Sequence, residues 1–164
     1  MSNRQAIGLA AAGGLLALGI VAAIEYLGIM QPCALCWTQR LIMALFTLIL
    51  IIGLVLWPQG KVGKFTLAAA TMATACAGAG VALRHLYVIW NPHVVECGMS
   101  PEMMLSMLPL HEIVVAFVTG SSDCTQADPL LGIPLPLWSL ASFIGLGALA
   151  GYALLRRPTN ELND

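Results

Sequence analysis

Four long runs without a charged residue constrain the fold of this 164-residue chain more than any other feature. They cover residues 6–24, 41–57, 65–83 and 137–155. Each has about the 17–25 residues that a helix needs to cross a bilayer core roughly 30 Å thick. In lipid each run must be helical, because an isolated strand would leave its backbone polar groups without hydrogen bonds. The sequence therefore predicts a single membrane domain over residues 1–164, an all-α four-helix bundle with spans at about 6–27, 38–57, 65–84 and 137–155.

The amino-acid composition agrees with a chain embedded in lipid. Hydrophobic residues make up 59% and charged residues 9%, whereas a soluble domain carries about 25% charged residues. The mean hydropathy is +0.88. A net charge of −1 and scattered basic residues argue against a nucleic-acid partner. The first run exceeds the apolar core of a signal peptide, and no small-residue cleavage site follows it before Tyr26, so it is predicted to remain as a span.

The lysines and arginines predict the orientation, because cytoplasmic loops carry an excess of these residues. One end of the bundle would hold Arg4, Lys61, Lys64, Arg156 and Arg157. The other end would hold Arg40 and Arg84. Both termini are therefore predicted to be cytoplasmic, with outer loops at about residues 28–37 and 91–136.

The first outer loop carries a Cys-x-x-Cys motif, Cys33 to Cys36, at the membrane surface. Pro32 favours the start of a helix there, which would put Cys36 and Arg40 one turn apart on the same face. The guanidinium would then stabilise the Cys36 thiolate. This pattern is typical of an electron-transfer device.

The second outer loop carries Cys97 and Cys124. Prolines bracket Cys97 in a stretch without helix or strand periodicity, which favours an extended, mobile segment that another protein can reach. Residues 101–118 have few polar side chains and are predicted to form one or two short helices on the membrane surface. A turn at residues 119–123 would then deliver Cys124.

Four further side chains have simpler interpretations. Cys76, near the middle of the third run, is expected to be a small apolar residue without a partner. Glu25 is expected to be a solvated carboxylate at the interface. Arg84 and His85 either snorkel from a helix end or line a ligand pocket on the same rim as Arg40, and both alternatives stay open.

The four outer cysteines allow three disulfide pairings. The local one, Cys33 with Cys36 and Cys97 with Cys124, is the natural resting state. The alternatives to redox activity are two structural staples or a zinc site. A staple gains little in a short loop between anchored helices, and the second pair lacks the spacing of a zinc knuckle, so no metal is expected.

A thiol relay needs an electron acceptor. No nucleotide-binding glycine motif is present, and Trp37 stands where a haem attachment motif requires histidine. A lipid-soluble quinone is the acceptor available at this depth. Arg40 could donate a hydrogen bond to a quinone carbonyl and stabilise developing negative charge.

These motifs together resemble the disulfide bond formation protein B family, the membrane quinone reductases that reoxidise a periplasmic dithiol oxidase. The resemblance covers nearly the whole chain. It rests on Pro32-Cys33-Ala34-Leu35-Cys36 with Arg40, Arg84-His85 to Pro92 before Cys97-Gly98, Gly120-Ser121-Ser122-Asp123-Cys124, and Leu131-Gly132-Ile133-Pro134 with Trp138.

The resemblance implies a bacterial inner-membrane oxidoreductase with its cysteines on the periplasmic side. A DsbA-like thiol oxidase would attack the Cys97–Cys124 disulfide, forming a mixed disulfide with Cys97. Cys33 would exchange with Cys124, and Cys36 would pass electrons to ubiquinone or menaquinone. The implied site residues are the catalytic Cys33, Cys36, Cys97 and Cys124 and the quinone-binding Arg40 and His85.

Two other interpretations stay open. A non-enzymatic four-span scaffold with structural disulfides would have no need of a cation one turn from Cys36. A vitamin-K-epoxide-reductase-like enzyme would share the chemistry, but both cysteine pairs and their flanks fit the first family better. Residues 37–39 read Trp-Thr-Gln, where some members of that family carry other polar or charged side chains.

Overall fold

Long helices form the body of the protein in the computed structural model, which describes residues 2–29, 32–58, 60–95, 103, 106–126 and 129–156. The helices are α1 (Asn3–Tyr26), α2 (Ala34–Val55), α3 (Lys61–Trp90), α4 (Leu110–Thr119) and α5 (Leu135–Leu155). All but the short α4 are long and apolar enough to cross a membrane. The predicted all-α, four-helix bundle is confirmed.

The third helix is longer than its apolar run predicted. It continues past the expected end near residue 84 to Trp90. Pro92 explains the stop, because a proline disfavours helical backbone at the residue before it, and Asn91 has left the helical region (φ −132°, ψ 67°). The extra turns carry His85 from the expected helix end into the body of α3.

The four long helices pack around one apolar core. α1 lies against α2 and α5, and α3 lies against the same two helices. The buried core includes Ile7, Phe46, Leu50 and Phe143, one or more from α1, α2 and α5. α3 contributes mainly small residues, and a Cβ added at Gly78 would lie 2.3 Å from the Phe143 ring. Small residues of this kind let membrane helices approach closely.

The segment between α3 and α5 returns to the bundle. A 3₁₀-helix at Pro92–Val94 begins it, and α4 lies in the later part of the stretch in which short helices were predicted, packing against α2. A second 3₁₀-helix (Ser122–Gln126) follows, and then a two-stranded antiparallel hairpin, β1 (Pro129–Leu130) and β2 (Ile133–Pro134). Leu131 and Gly132 close the hairpin with positive φ angles of 56° and 79°, as a two-residue turn of this handedness requires.

Candidate active site

The first turn of α2 brings Cys33 and Cys36 together. Cys33 is the N-cap residue, with an extended backbone (φ −77°, ψ 173°), and Cys36 lies in the first helical turn. The Cys33 thiol donates a hydrogen bond to the Cys36 sulfur across 3.3 Å. Since a disulfide bond is about 2.05 Å long, the two sulfurs would have to approach by a little more than 1 Å to bond.

The end of the second loop places Cys124 beside Cys33. Gly120 follows α4 with φ +91°, and a Cβ there would lie 2.8 Å from Leu35 Cδ1, so a glycine is needed for this turn against α2. The following 3₁₀-helix buries Cys124 completely. Cys33, Leu35 and Cys124 form one buried cluster with Val88 of α3, which we call the sulfur cluster.

The pKa values of Cys33 and Cys124 are shifted in opposite directions. The hydrogen bond from the Cys33 thiol lowers the pKa of Cys124 from its ordinary value of 9.0 to about 6, with support from the Ser121 and Leu35 backbones and against the effect of burial. The same hydrogen bond, followed by the one to Cys36 and by burial, raises the pKa of Cys33. In the reduced protein Cys124 is therefore the thiolate of this pair at neutral pH.

Helix α3 places His85 behind the sulfurs. The side chain is fully buried, with Nε2 3.7 Å from the Cys33 sulfur and Nδ1 3.1 Å from the Gln39 side-chain nitrogen. His85 therefore does not snorkel. Gln39 was missed as a site residue, although a polar side chain within an apolar span is costly unless it is paired, and that cost was the available signal.

Arg84, the neighbour of His85, takes a different position. Its Nε donates a hydrogen bond to the Thr119 carbonyl oxygen across 3.1 Å, at the end of α4. Its guanidinium carbon lies 5.4 Å from the centre of the Tyr87 ring. Arg84 thus ties the second loop to α3 and is separate from the sulfurs.

A cavity of about 300 Å³ opens beside Cys36. Cys36, Gln39 and Arg40 line it from α2, Trp138 lines it from α5, and the remaining wall is mostly aliphatic side chains of α1 and the hairpin. His85 is not among the lining residues. Ser139 and Ser142 of α5 also line it. The cavity therefore presents one thiol, one amide, one cation and two serines in a mostly apolar lining.

Arg40 is only partly satisfied by its protein neighbours. It forms an ion pair with Glu25 of α1, and its guanidinium carbon lies 5.6 Å from the centre of the Trp37 ring. Its Nε is buried and has no hydrogen-bond partner among the described residues. An unpaired buried donor costs about 1–3 kcal/mol, so Arg40 favours a ligand that offers an acceptor. Glu25, expected as a solvated carboxylate, instead holds this cation.

The structure thus brings together five of the six residues predicted for the site: Cys33, Cys36, Cys124, Arg40 and His85. Cys97 lies outside the described residues. Cys76 lies in the middle of α3 and is exposed on the outside of the bundle, where lipid would contact it.

Fold and site together define a multi-pass membrane protein with a cluster of thiols at one end. The family model described as disulfide bond formation protein DsbB matches residues 3–153. The chain therefore belongs to the DsbB family. It is a membrane disulfide-bond-formation protein, and the family implies a thiol oxidoreductase.

Relatives named disulfide bond formation protein B support the same assignment. The protein from Alkalilimnicola ehrlichii is 47% identical over 134 residues, 82% of each chain. The one from Chromohalobacter salexigens is 32% identical over 165 residues, 96% of each chain. Disulfide bond formation protein B 2 from Pseudomonas entomophila is 38% identical over 120 residues, 72% of this chain and 70% of its own. No solved structure gives a significant match.

Proposed function

We propose that this protein reoxidises a periplasmic DsbA-like dithiol oxidase and passes the electrons through two cysteine pairs to ubiquinone or menaquinone. One observation carries the proposal. Cys124, Cys33 and Cys36 adjoin one another in that order, and Cys36 opens onto the cavity that holds Arg40. This arrangement supports a path from the second loop to a site for an apolar electron acceptor.

The cavity fits a quinone head group. Its volume of about 300 Å³ lies at the lower end of the range for small-molecule sites. Its walls are mostly apolar, and Arg40, which lines the cavity and has an unpaired N–H, would supply a donor for a carbonyl oxygen. A bound quinone would supply an acceptor for two electrons and two protons.

Residues in and beside the cavity support the site. Glu25 orients the Arg40 guanidinium and balances its charge. Trp138 is fixed by a hydrogen bond from its Nε1 to the Leu130 carbonyl oxygen, 3.3 Å away, so its ring forms a stable wall. Cys36 supplies the one thiol among the lining residues. Of the two residues that we predict to bind quinone, Arg40 would contact it directly, and His85 would act from behind Cys33.

The thiol steps conserve electrons because each is a disulfide exchange. A thiolate of the reduced partner attacks Cys97, breaks the Cys97–Cys124 bond and releases Cys124 as a thiolate. Cys124 then attacks Cys33, which breaks the Cys33–Cys36 bond and releases the Cys36 thiolate. The second partner thiolate then attacks the mixed disulfide, which forms the partner's own disulfide and releases the Cys97 thiolate. Cys97 attacks Cys124, which re-forms the Cys97–Cys124 bond and releases the Cys33 thiolate. The partner leaves oxidised, and Cys33 and Cys36 hold the two electrons.

The proposed location is the bacterial inner membrane, with the sulfur cluster on the periplasmic side and both termini in the cytoplasm. Supporting charges gather at the opposite end of the bundle. Arg4 donates to the Leu54 carbonyl oxygen across 3.1 Å and lies over the Trp57 ring, while Asn3 donates to the Arg156 carbonyl oxygen. An end rich in arginine and lysine is the one that stays in the cytoplasm.

A direct test uses the purified protein, a reduced DsbA-like oxidase and a soluble quinone analogue. We expect steady-state quinone reduction coupled to partner oxidation, with one quinone reduced per disulfide formed. A non-enzymatic scaffold would give no quinone reduction at all. Quinone reduction without partner oxidation would also reject the proposal.

The role of Arg40 has its own test. Arg40→Ala should raise the apparent quinone KM about tenfold or more, because it removes the hydrogen bond to the carbonyl, and Arg40→Lys should recover part of the loss. Arg84→Ala is the matched control, since Arg84 binds Thr119 instead of the cavity. An unchanged KM in Arg40→Ala would remove Arg40 from the quinone site.

Trapping tests the order of the exchange. A Cys124→Ser variant keeps Cys97 as a free thiol, whose thiolate should attack the disulfide of the oxidised DsbA-like oxidase and form a mixed disulfide that an acid quench traps. Peptide mapping identifies the joined cysteine. A mixed disulfide formed through Cys33 or Cys36 would reverse the proposed order.

A further inference from the structure

The end of the bundle that carries Cys33 and Cys36 also has the side chains of a metal site. The Cys33 and Cys36 sulfurs and the His85 ring lie within 4.8 Å of one another. Thiolate and imidazole are the ligands that zinc prefers in proteins. The three side chains come from two helices, so the first turn of α2 and the body of α3 hold them in place.

The distances match those across a tetrahedral zinc ion. Zn–S bonds of about 2.3 Å and Zn–N bonds of about 2.05 Å place two ligating sulfurs about 3.8 Å apart, and a sulfur and a nitrogen about 3.6 Å apart. The observed values are 3.3 Å between the two sulfurs and 3.7 Å between the Cys33 sulfur and His85 Nε2. These two distances need to change by about half an ångström or less to admit the ion, and the Cys36 sulfur lies within 4.8 Å of the His85 ring.

The surroundings favour a divalent cation in two further ways. A metal-bound histidine needs a hydrogen-bond partner at its other ring nitrogen. The Gln39 side-chain nitrogen lies 3.1 Å from His85 Nδ1, and a flip of that amide would present its oxygen to the Nδ1–H instead. Two thiolates, a neutral imidazole and one Zn²⁺ also add up to zero charge. A neutral complex is the one that an apolar site such as the sulfur cluster can hold at lowest cost.

We propose that the reduced protein binds Zn²⁺ through Cys33, Cys36 and His85, and that the bound ion holds the relay in an inhibited state. Two thiols release two protons for each ion bound, no electrons move, and water completes the coordination. The site exists only in the reduced form, because the Cys33–Cys36 disulfide removes both thiolates. Zn²⁺ is thus an inhibitor of the reduced form and not a resident cofactor. The inhibition rests on the proposed function, whereas the binding does not.

Cobalt is the probe for the site, since Co²⁺ replaces Zn²⁺ and its visible spectrum reports tetrahedral geometry and thiolate ligation. Protein reduced and freed of reductant under nitrogen should bind one Co²⁺ with tetrahedral bands and a thiolate charge-transfer band, and Zn²⁺ should displace it. Oxidised protein should show neither band. Equal binding by oxidised protein, or an octahedral spectrum alone, would overturn the site.

Variants identify the ligands. Cys33→Ser and Cys36→Ser should each abolish the tetrahedral spectrum, and His85→Gln should weaken Co²⁺ binding at least tenfold. Cys76→Ser and His111→Ala are matched controls, because both residues are exposed and lie outside the cluster. If Cys33→Ser, Cys36→Ser or His85→Gln kept the wild-type affinity for Co²⁺, that residue would not be a ligand. Should a variant fail to fold, protection of Cys36 from alkylation by Zn²⁺ in the wild-type protein decides the same question.

A single-turnover measurement tests the inhibition. Reduced protein without reductant is mixed with a soluble quinone analogue, and disulfide formation is followed with and without one equivalent of Zn²⁺. We expect Zn²⁺ to slow disulfide formation at least tenfold and EDTA to restore it. An unchanged rate with Co²⁺ binding intact would reject the inhibition alone. If the protein reduces no quinone even without Zn²⁺, the proposed function fails while the cobalt spectrum still decides the metal site.

Discussion

Among the described residues, two buried clusters are built on different principles. The apolar core includes Phe46, Leu50 and Phe143, and its helices approach through small residues such as Gly78. The sulfur cluster holds Cys33 and Cys124, and its polar neighbours satisfy one another through hydrogen bonds. The first depends on shape alone, whereas the second depends on the identity of single atoms.

This difference implies that stability and activity reside in separate parts of the bundle. A sulfur replaced by oxygen changes little in volume, so the helices should stay packed while the chemistry stops. A methyl group added where two helices touch should loosen the bundle without touching any thiol. Substitutions at the two clusters should therefore have opposite patterns of effect.

The largest expected effect is at the sulfur cluster. Cys33→Ser should reduce partner-coupled quinone reduction by at least about 100-fold, because no other described sulfur lies between Cys124 and Cys36 and each step needs a thiolate. The melting temperature in detergent should change little. Cys76→Ser, an exposed cysteine on the same bundle, is the control and should keep both values. Full activity in Cys33→Ser would show that the chemistry does not depend on the sulfur cluster.

The next effect is at the apolar core. Gly78→Ala should destabilise the protein by about 1–3 kcal/mol, because the added Cβ would lie 2.3 Å from the Phe143 ring. Gly80→Ala is the matched control on α3, since nothing lies within 4 Å of its Cβ position. Unfolding in mixed detergent measures both.

A second substitution sharpens the test of the core. Phe143→Leu in the Gly78→Ala background should recover part of the lost stability, since a smaller side chain makes room for the methyl group. Equal stability of Gly78→Ala and Gly80→Ala would show that the close contact between α3 and α5 does not matter.

The sequence predicted the two clusters unequally. A single segment that crosses lipid must be helical to satisfy its backbone hydrogen bonds, so the charge-free runs predicted the four helices of the bundle. Helical spacing predicted that Cys36 and Arg40 share one face, and both line the cavity. These features are local, because they depend on residues within one turn of each other.

The contacts between helices could not be predicted in this way. Whether His85 meets Cys33 depends on the rotation of α3 about its axis, and the scattered alanines and glycines of α3 mark no single buried face. The ion pair of Glu25 with Arg40 joins α1 to α2 and depends on their relative height. Neither quantity is encoded within one turn of helix.

A smaller effect is expected at Glu25. Glu25→Gln removes the carboxylate that orients the Arg40 guanidinium, and should raise the quinone KM severalfold with little change in kcat. A partly exposed ion pair stabilises a protein by about 1 kcal/mol or less, so the melting temperature should change little. Steady-state kinetics at varied quinone measures the split between KM and kcat. A lowered kcat with unchanged KM would mean that Glu25 acts on the thiols instead of on the quinone site.

The smallest expected effect is a change in the ionisation of Cys124 in the reduced protein, with no loss of function. Because the Cys33 hydrogen bond lowers the pKa of Cys124 to about 6, reduced protein in EDTA should gain one thiolate, seen by its ultraviolet absorbance, as the pH rises through 6. An unfolded chain keeps that proton up to its ordinary pKa of 9.0, so this group should make the reduced protein more stable as the pH rises from 6 to 9. Cys33→Ala, which removes the donor, should move the step to higher pH, while Cys76→Ser should leave it unchanged. A first thiolate that forms only near pH 9 in the wild type would show that the shared proton does not distinguish the two sulfurs.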